Sequence, residues 1–309
     1  MAKHLLSMQD LSPKEVEAIL NKAAQFKAQR SRRPLSDELK GKTIALIFEK
    51  PSTRTRVSFE TGIHELGGNP LFLSTHELQL SRGETVADTA RTLSRYIHGI
   101  VARVTSHDHL IELSVHSAVP VINALSPLEH PCQALADLLT IREHRGKFKG
   151  LKFAWVGDGN NVCNSLMLGC SLIGLNFSAA CPRGYEPPAE ITKQARENAK
   201  KSGTKIEITN NPSKAVAKAD VVYTDVFVSM GQESEREQKM QDFKGFQVDS
   251  KLLADAKRDV IFMHCLPAHR GEEVTGEVID GPRSVVWDQA ENKLHTLKAV
   301  LVSLLAGKR

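Results

Sequence analysis

Short apolar runs alternate with longer amphipathic stretches along most of the chain. A run such as KTIALIF at 42–48 is rich in β-branched residues and is bounded by polar ones, which is typical of a strand buried on both faces of a parallel sheet. Runs of this kind predict nine strands. The predicted strands are residues 42–48, 70–73, 99–104, 120–123, 151–156, 177–180, 205–209, 221–224 and 260–264.

Helical spacing fills most of the segments between these runs. The first helix begins at Ser12-Pro13-Lys14-Glu15, where Ser12 and Glu15 form a capping box and Pro13 suits the first helical position. The other predicted helices are residues 57–66, 85–97, 129–145, 162–174, 188–202, 212–219 and 291–305. The strand–helix alternation predicts the α/β class, with two doubly wound parallel-sheet domains and a cleft between them. We expect a first domain at 1–145, a second at 146–290, and a final helix at 291–309 that packs back on the first domain.

Residues 52–56 (STRTR) lie between a predicted strand and a predicted helix. Free backbone N–H groups and the helix dipole favour an anion at such a junction, and hydroxyl and guanidinium donors match phosphate oxygens. The pattern therefore predicts a phosphate site in the loop before the helix. The alternative is an ordinary N-cap by Ser52 or Thr53 with arginines that face solvent.

Three further places carry polar side chains at predicted strand or helix ends. His130 and Gln133 begin a helix, where we expect His130 to be exposed and both side chains to suit a carbonyl oxygen. Asp225 ends an apolar strand and suits an ammonium group, with the loop 229–233 beyond it. Asn161 follows the strand 151–156, and we expect it to present its side-chain amide to a substrate. For each place the alternative is a plain turn, a helix start or a mobile loop.

Two further motifs resemble known functional patterns, a dinucleotide fingerprint and a nucleophilic Cys–His pair, but the sequence argues against both. Gly157-Asp158-Gly159-Asn160-Asn161 follows a strand, but a dinucleotide fingerprint needs a third glycine where Val162 stands. His264 and Cys265 are neighbours on a strand and so point to opposite faces, which argues against a nucleophilic Cys–His pair. A buried structural thiol is the commoner role for such a cysteine.

Composition narrows the class of partner and compartment. The net charge is +5 and aromatic residues make up 5% of the chain, with no basic stripe, so an anionic small molecule fits better than a nucleic acid. The five cysteines include no CxxC pair, which favours a reducing compartment. Residues 1–11 lack a signal-peptide core, and residues 162–180 are too polar for a membrane span. We expect a cytoplasmic protein.

Four separated motifs together resemble the ornithine carbamoyltransferases, within the aspartate/ornithine carbamoyltransferase superfamily. They are STRTR at 52–56, HPCQ at 130–133, SMGQE at 229–233 and HCLP at 264–267. STRTR and HPxQ are shared across carbamoyltransferases, whereas SMG and HCLP point to ornithine rather than aspartate. The resemblance runs over essentially the whole chain.

The resemblance implies carbamoyl transfer from carbamoyl phosphate to L-ornithine in a homotrimer, with no metal and no cofactor. It implies catalytic roles for Arg54, Arg103, His130 and Cys265. Carbamoyl phosphate binding is implied for Ser52, Thr53, Arg54, Thr55, Gln79, Arg103, His130, Gln133, Cys265, Leu266 and Lys293. Ornithine binding is implied for Asn161, Asp225, Ser229 and Met230. Gln79 is implied to reach a neighbouring subunit's site.

One position departs from the family pattern. The family usually has arginine after Ala-Glu-Asn in the final helix, and this chain has Lys293. Lysine keeps the charge but loses the planar fork, so we expect altered affinity rather than lost function. Three alternatives remain: a carbamoyltransferase for another amine such as putrescine or an acylated ornithine, a nucleotide-binding oxidoreductase, and a metabolite-sensing paralogue without catalysis.

Overall fold

The computed structural model describes residues 3–33, 35–74, 78–229 and 231–306. The chain divides into two compact units, one built from the residues up to Leu139 together with those from Glu291, and the other from Thr140–Ala290. Each unit contains one open parallel sheet with helices, as the sequence pattern predicted. No helix of the described residues is long and apolar enough to cross a membrane.

The first unit is built on a four-stranded parallel sheet with the order β2-β1-β3-β4. Its strands are β1 (Thr43–Phe48), β2 (Asn69–Ser74), β3 (Gly99–Arg103) and β4 (Val121–Leu125). Its helices are α1 (Pro13–Gln29), α2 (Thr53–Glu65), α3 (Val86–Leu93), α4 (His107–His116) and the first part of α5 (Pro131–Arg145). Pairing of Phe48 with Arg103 brings the carboxyl ends of β1 and β3 together. The chain leaves these two strands in opposite directions, so their loops frame the crevice where open α/β sheets bind ligands.

The second unit repeats this plan with five parallel strands in the order β7-β6-β5-β8-β9. The strands are β5 (Lys152–Val156), β6 (Asn176–Ala180), β7 (Ile206–Thr209), β8 (Val221–Tyr223) and β9 (Ile261–Met263). The helices are α6 (Asn161–Ile173), α7 (Ala189–Ser202), α8 (Pro212–Val216), α9 (Arg236–Asp242), α10 (Ser250–Leu253), α11 (Gly276–Ile279) and the first turn of α12 (Val286–Leu305). The order reverses between β5 and β8, which makes the loops after these strands the equivalent crevice.

Several helix boundaries differ from the prediction. α2 begins at Thr53, so residues 53–56 form its first turn instead of a loop before it. α12 begins at Val286 and not at 291, and Gln289 in this early turn accepts a hydrogen bond from the backbone N–H of His264 (3.0 Å). α4 and the short helices α9, α10 and α11 were not predicted. Short helices depend on tertiary packing more than on local propensity, which is why the pattern missed them.

The capping box at the start of α1 is confirmed. The hydroxyl of Ser12 accepts from the backbone N–H of Glu15 (3.3 Å), and the Glu15 carboxylate accepts from the backbone N–H of Ser12 (2.8 Å). These contacts satisfy N–H groups that have no partner inside the helix.

The final helix is fixed to the first unit by a buried ion pair. Lys298 on α12 donates to Glu65 on α2 at 2.7 Å, and these two side chains are 3% and 8% exposed. Arg30 adds a second contact to Glu65 (3.0 Å). Burial alone would raise the pKa of Glu65, but the hydrogen bonds and charges of Lys298 and Arg30 outweigh it and lower that pKa. The carboxylate therefore stays charged, and the pair holds α12 against α2.

We predict that Lys298→Met lowers the free energy of unfolding by about 3–5 kcal/mol, because it leaves the Glu65 carboxylate buried without its closest cation. The exposed pair Lys40–Asp37, at 75% and 71% exposure, provides the control. Lys40→Met should cost less than about 1 kcal/mol. Guanidinium denaturation followed by circular dichroism measures both. Equal, small losses in the two variants would contradict the role given to Lys298.

Candidate active site

The junction of β1 and α2 presents hydroxyl groups and an arginine at a helix N-terminus. Ser52 is the N-cap, and its hydroxyl accepts from the backbone N–H of Thr55 (3.3 Å). Thr53 and Arg54 are exposed in the first turn, whereas Thr55 is buried. Because the free N–H groups of this turn and the dipole favour an anion, the placement suits a phosphate. The N-cap interpretation is confirmed for Ser52, and it is compatible with an anion site at the same helix start.

Arg56 has partners that set it apart from Arg54. Its guanidinium lies over the ring of Phe72, 3.5 Å from the centroid, and its Nε donates to Glu60 at 2.9 Å. A cation–π contact and an ion pair together hold the side chain toward β2. Arg54, in contrast, is exposed at the start of α2.

Arg103 ends β3 beside this junction and is buried, 5% exposed. Its backbone carbonyl accepts from the N–H of Glu49, directly after β1 (2.8 Å). The Glu49 carboxylate accepts from the N–H of Thr105 (2.6 Å) and lies 3.0 Å from Nδ1 of His109. Burial alone would raise the pKa of Glu49, but these hydrogen bonds lower it. Glu49 thus links the loops after β1 and β3. In the sequence, the only local indication of this role is its position at the end of a predicted strand.

Lys293 brings three distant segments of the first unit together. Its ammonium group donates to the hydroxyl of Thr55 (3.0 Å) and to the side-chain carbonyl of Gln133 (3.1 Å). Gln133 in turn donates to Asp137, one turn along α5 (2.9 Å). Lys293, Thr55 and Gln133 are all buried. The sequence-predicted residues of the helix start, of HPCQ and of the final helix therefore meet in one buried polar cluster.

His130 does not lie where the sequence predicted. It is only 4% exposed, so the expectation of an exposed ring at the start of α5 was wrong. Burial, together with the charges of Lys293 and Arg103, lowers the pKa of His130 well below its usual value. The ring is therefore neutral at pH 7. Periodicity could not show this, because the cations that surround it come from other elements.

Gln79 begins a short 3₁₀ helix, Gln79–Arg82, and its side chain is exposed. Within the described part of the first unit, no hydrogen bond of this side chain joins it to the cluster of Thr55, Gln133 and Lys293.

In the second unit, the loops after β5 and β8 meet through Asp225. This buried carboxylate accepts from the side-chain amide of Asn160 (2.8 Å) and from the backbone N–H of Val226 (2.9 Å). The thiol of Cys265, which follows β9, donates to the same carboxylate at 3.0 Å. Asn160 also caps α6, so the predicted residue Asn161 lies in the first helical turn. The structure thus brings Asp225, Cys265 and the start of α6 together.

The loop after Phe227 is fixed by a buried lysine. The ammonium group of Lys239, on α9, donates to Asp158 (2.7 Å) and to the side-chain carbonyl of Gln232 (2.8 Å). The same carbonyl of Gln232 accepts from the backbone N–H of Ser229 (3.2 Å). Met230 lies outside the described residues. Lys239 was not singled out from the sequence, which carries no local signal for it.

His264 supports the segment that carries Cys265 and Leu266. Its Nδ1 accepts from the backbone N–H of Leu266 (2.9 Å), and its Nε2 contacts Glu273 (3.2 Å), so it does not act as a base on Cys265. Leu266 has a φ of 59°, a left-handed conformation that costs free energy outside glycine. Cys265 is partly exposed, not fully buried as a structural cysteine would be. Ligand-type atoms of Asp225, His264 and Cys265 lie within 4.8 Å of one another, but Leu266 and Glu273 already occupy both ring nitrogens of His264.

The two glycines of Gly157-Asp158-Gly159 serve the backbone itself. Gly157 has a φ of 135°, and a Cβ on Gly159 would lie 2.3 Å from the nitrogen of Pro187. Both residues are therefore required by backbone conformation or close packing. Neither requires a bound dinucleotide, which agrees with the missing third glycine at Val162.

The depressed pKa of His130 predicts a loss of stability in mild acid. Unfolded histidine takes up a proton near pH 6.5 and folded His130 does not, so the free energy of unfolding falls as pH falls below about 6.5. Between pH 6.5 and 5.5 this group contributes a loss of about 1 kcal/mol. His130→Gln should remove this part of the pH-dependent loss, whereas His64→Gln, at an exposed site, should leave it unchanged. Urea denaturation at the two pH values measures the difference, and an unchanged pH dependence in His130→Gln would contradict the assignment.

Two known protein domains match the chain. The carbamoyl-P binding domain of the aspartate/ornithine carbamoyltransferases matches residues 3–143, and the Asp/Orn binding domain matches residues 149–304. An ornithine carbamoyltransferase from Methanosarcina acetivorans is 53% identical over 305 residues, 99% of this chain and 100% of that protein.

Solved structures extend the similarity to the fold. The ornithine carbamoyltransferase from Pyrococcus furiosus has a TM-score of 0.96 and 52% identity, over 100% of this chain and 98% of that one. The anabolic ornithine carbamoyltransferase from Campylobacter jejuni has a TM-score of 0.92 and 43% identity, over 98% of each chain. The resemblance seen in four sequence motifs is thus confirmed, and the chain belongs to the aspartate/ornithine carbamoyltransferase family.

Proposed function

We propose that this chain transfers the carbamoyl group of carbamoyl phosphate to the δ-amine of L-ornithine, which gives L-citrulline and phosphate. The observation that carries the proposal is the buried cluster in which Thr55, at a helix N-terminus, meets Gln133 and Lys293. An anion site and a set of carbonyl-binding donors lie side by side there. The citrulline would serve arginine biosynthesis, as the anabolic relative from Campylobacter jejuni suggests. The alternative is the catabolic arginine deiminase pathway.

The phosphate would bind at the start of α2. Ser52, Thr53, Arg54 and Thr55 offer hydroxyl, guanidinium and backbone N–H donors at that helix end. Arg54 neutralises the charge that the leaving phosphate acquires. Arg56 supports this turn through its contacts with Phe72 and Glu60.

The carbonyl oxygen of the carbamoyl group would be held by Thr55, Arg103, His130 and Lys293. Attack by an amine places negative charge on this oxygen, and preorganised donors stabilise that charge. Neutral His130 is a donor that adds no charge of its own. Gln133, fixed between Lys293 and Asp137, orients the carbamoyl amide. The loss of one such donor typically lowers the rate by about 10²–10³.

Ornithine would be held by the second unit. Asp225 binds the α-ammonium group, and Asn161, Ser229 and Met230 complete the site for the amino acid end. The proposal for Asp225 rests on its burial at the end of β8 and on its hydrogen bonds with Asn160 and Cys265, which orient the carboxylate.

The δ-amine must lose a proton before it attacks. Deprotonating an alkyl ammonium group at pH 7 costs about 4–5 kcal/mol, because its reference pKa is about 10.4. We propose that the enzyme selects the free amine, with Cys265 and Leu266 lining its position. The reaction as proposed uses no metal and no organic cofactor.

Each substrate would bind to one of the two domains predicted from the sequence. Residues 1–145 with the helix 291–309 bind carbamoyl phosphate, and residues 146–290 bind ornithine; the ranges of the two family matches support this. We also propose a cytoplasmic homotrimer in which the exposed Gln79 completes a neighbouring subunit's site.

Citrulline formation tests the activity and the role of Arg54 together. The enzyme should form citrulline from carbamoyl phosphate and ornithine, and should carbamoylate putrescine and N-acetylornithine far more slowly. Arg54→Ala should lower turnover by at least about 100-fold with an unchanged melting temperature, since a phosphate-neutralising cation is lost. Arg196→Ala, at an exposed arginine of the second unit, is the control. Activity above a tenth of the parent in Arg54→Ala, or binding of carbamoyl phosphate without product from any amine, would overturn the proposal.

Subunit mixing tests the shared site. Arg54→Ala and Gln79→Ala are each expected to be inactive, but refolding them as an equimolar mixture should create hybrid trimers. In each hybrid trimer about one site in three combines Arg54 of one subunit with Gln79 of another, which amounts to about a quarter of all sites in the mixture. The mixture should therefore regain up to about a quarter of the parent activity. Recovery of none, with trimers present by analytical ultracentrifugation, would show that Gln79 acts within its own subunit.

A further inference from the structure

A histidine and two glutamates converge in the loop between β9 and α11 of the second unit. One ring nitrogen of His269 and one carboxylate oxygen each of Glu272 and Glu273 lie within 4.8 Å of one another. This cluster contains none of the residues to which the carbamoyl transfer reaction is assigned.

The spacing of the three atoms suits a metal ion. Nδ1 of His269 lies 3.9 Å from Oε2 of Glu272 and 3.9 Å from Oε2 of Glu273. Two ligand atoms at this separation can both lie about 2.1 Å from one ion, which is the length of zinc–nitrogen and zinc–oxygen bonds in proteins. Side-chain movement of a few tenths of an ångström would give bonding distances.

The burial of the two oxygen atoms is the second, independent observation. Oε2 of Glu272 and Oε2 of Glu273 are both inaccessible to solvent, and among the described residues neither has a hydrogen-bond partner. The side chain of Glu273 is fully buried, at 0% exposure. A buried carboxylate oxygen with no donor is unfavourable unless a proton or a cation satisfies it.

The other oxygen of each carboxylate is already used. Oε1 of Glu273 accepts from the backbone N–H of His269 (2.6 Å) and contacts Nε2 of His264 (3.2 Å). Oε1 of Glu272 accepts from the guanidinium of Arg236. These contacts hold both carboxylates with Oε2 turned toward His269, in the way that hydrogen bonds around metal sites orient the ligands.

We propose that His269, Glu272 and Glu273 bind one divalent transition-metal ion. One imidazole nitrogen and two carboxylate oxygens are a ligand set for Zn²⁺, Mn²⁺ and similar ions, whereas Mg²⁺ and Ca²⁺ prefer oxygen ligands alone. The two carboxylates balance the charge of the ion. Water completes the coordination on the side of His269, whose side chain is 44% exposed.

The ion is linked to the segment that carries Cys265. Because the backbone N–H of Leu266 donates to Nδ1 of His264, the proton of this ring lies on Nε2 and is donated to Glu273. A cation on Glu273 therefore fixes the same carboxylate that orients His264 beside Leu266. The binding itself does not depend on the proposed reaction.

The experiment measures binding of Zn²⁺ and Mn²⁺ to the whole protein after dialysis against a chelator. Isothermal titration gives the stoichiometry for Zn²⁺, and electron paramagnetic resonance reports bound Mn²⁺. His269→Ala and Glu272→Gln each remove a ligand at a partly exposed position, and we expect both variants to fold. Glu277→Gln makes the same charge change at an exposed glutamate nearby. Cys265→Ser removes a ligand of the separate Asp225, His264 and Cys265 cluster.

We expect one ion per chain in the parent, Glu277→Gln and Cys265→Ser proteins. In His269→Ala and Glu272→Gln the affinity should fall at least about tenfold. Binding that survives both of these substitutions but is lost in Cys265→Ser would place the ion at the other cluster and overturn the proposal. The absence of binding at millimolar metal in the parent protein would overturn it equally. Citrulline formation is not used as a readout, so this result and that of the proposed function are separate.

Discussion

Strands that are buried on both faces leave a parallel sheet little room for polar side chains except at its ends. In β1 and β3 every residue after Thr43 is buried, and the first strongly polar groups, Glu49 and Arg103, stand at the carboxyl ends. The same holds in the second unit, where Asp158 and Asp225 follow β5 and β8. The strand order reverses between β1 and β3 and between β5 and β8. The polar groups at the carboxyl ends of these strands therefore lie at the crevice of their sheet. The proposed carbamoyl phosphate site of the first unit and the proposed ornithine site of the second each depend on this constraint.

Buried cations then decide how the polar groups are arranged at each crevice. Lys293 joins Thr55 to Gln133 in the first unit, and Lys239 joins Asp158 to Gln232 in the second. A buried ammonium group is tolerated only when several oxygen atoms surround it, so each lysine fixes the segments that supply those atoms. Contacts that satisfy the charge therefore also position the residues that would meet substrate. At Lys293 the arginine that the sequence resemblance leads us to expect would place a planar fork among the same oxygen atoms, so the lysine bears on the proposed carbonyl site.

The sequence predicted the strands well and the helix starts less well. β1 and β5 are short apolar runs with polar ends, and a pattern of that kind is typical of buried parallel strands. The capping box at Ser12 was also readable, because both of its partners lie within four residues. In contrast, the early start of α12 at Val286 and the helices α9 to α11 depend on contacts with remote elements. Local periodicity contains no information about such contacts.

The candidate site divides in the same way. The sequence by itself determined two parallel sheets, the residues at their carboxyl ends, and the donors at 52–55 that suit a phosphate, because all of these follow from neighbours along the chain. Only the tertiary structure decided that Thr55 meets Lys293 across 238 positions, that Arg56 turns to Phe72, and that Asp225 receives the thiol of Cys265. It also made His130 buried and neutral, where the sequence predicted an exposed ring. Burial and the distance between charges set a side chain's partners and protonation, and both quantities exist only once the chain has folded.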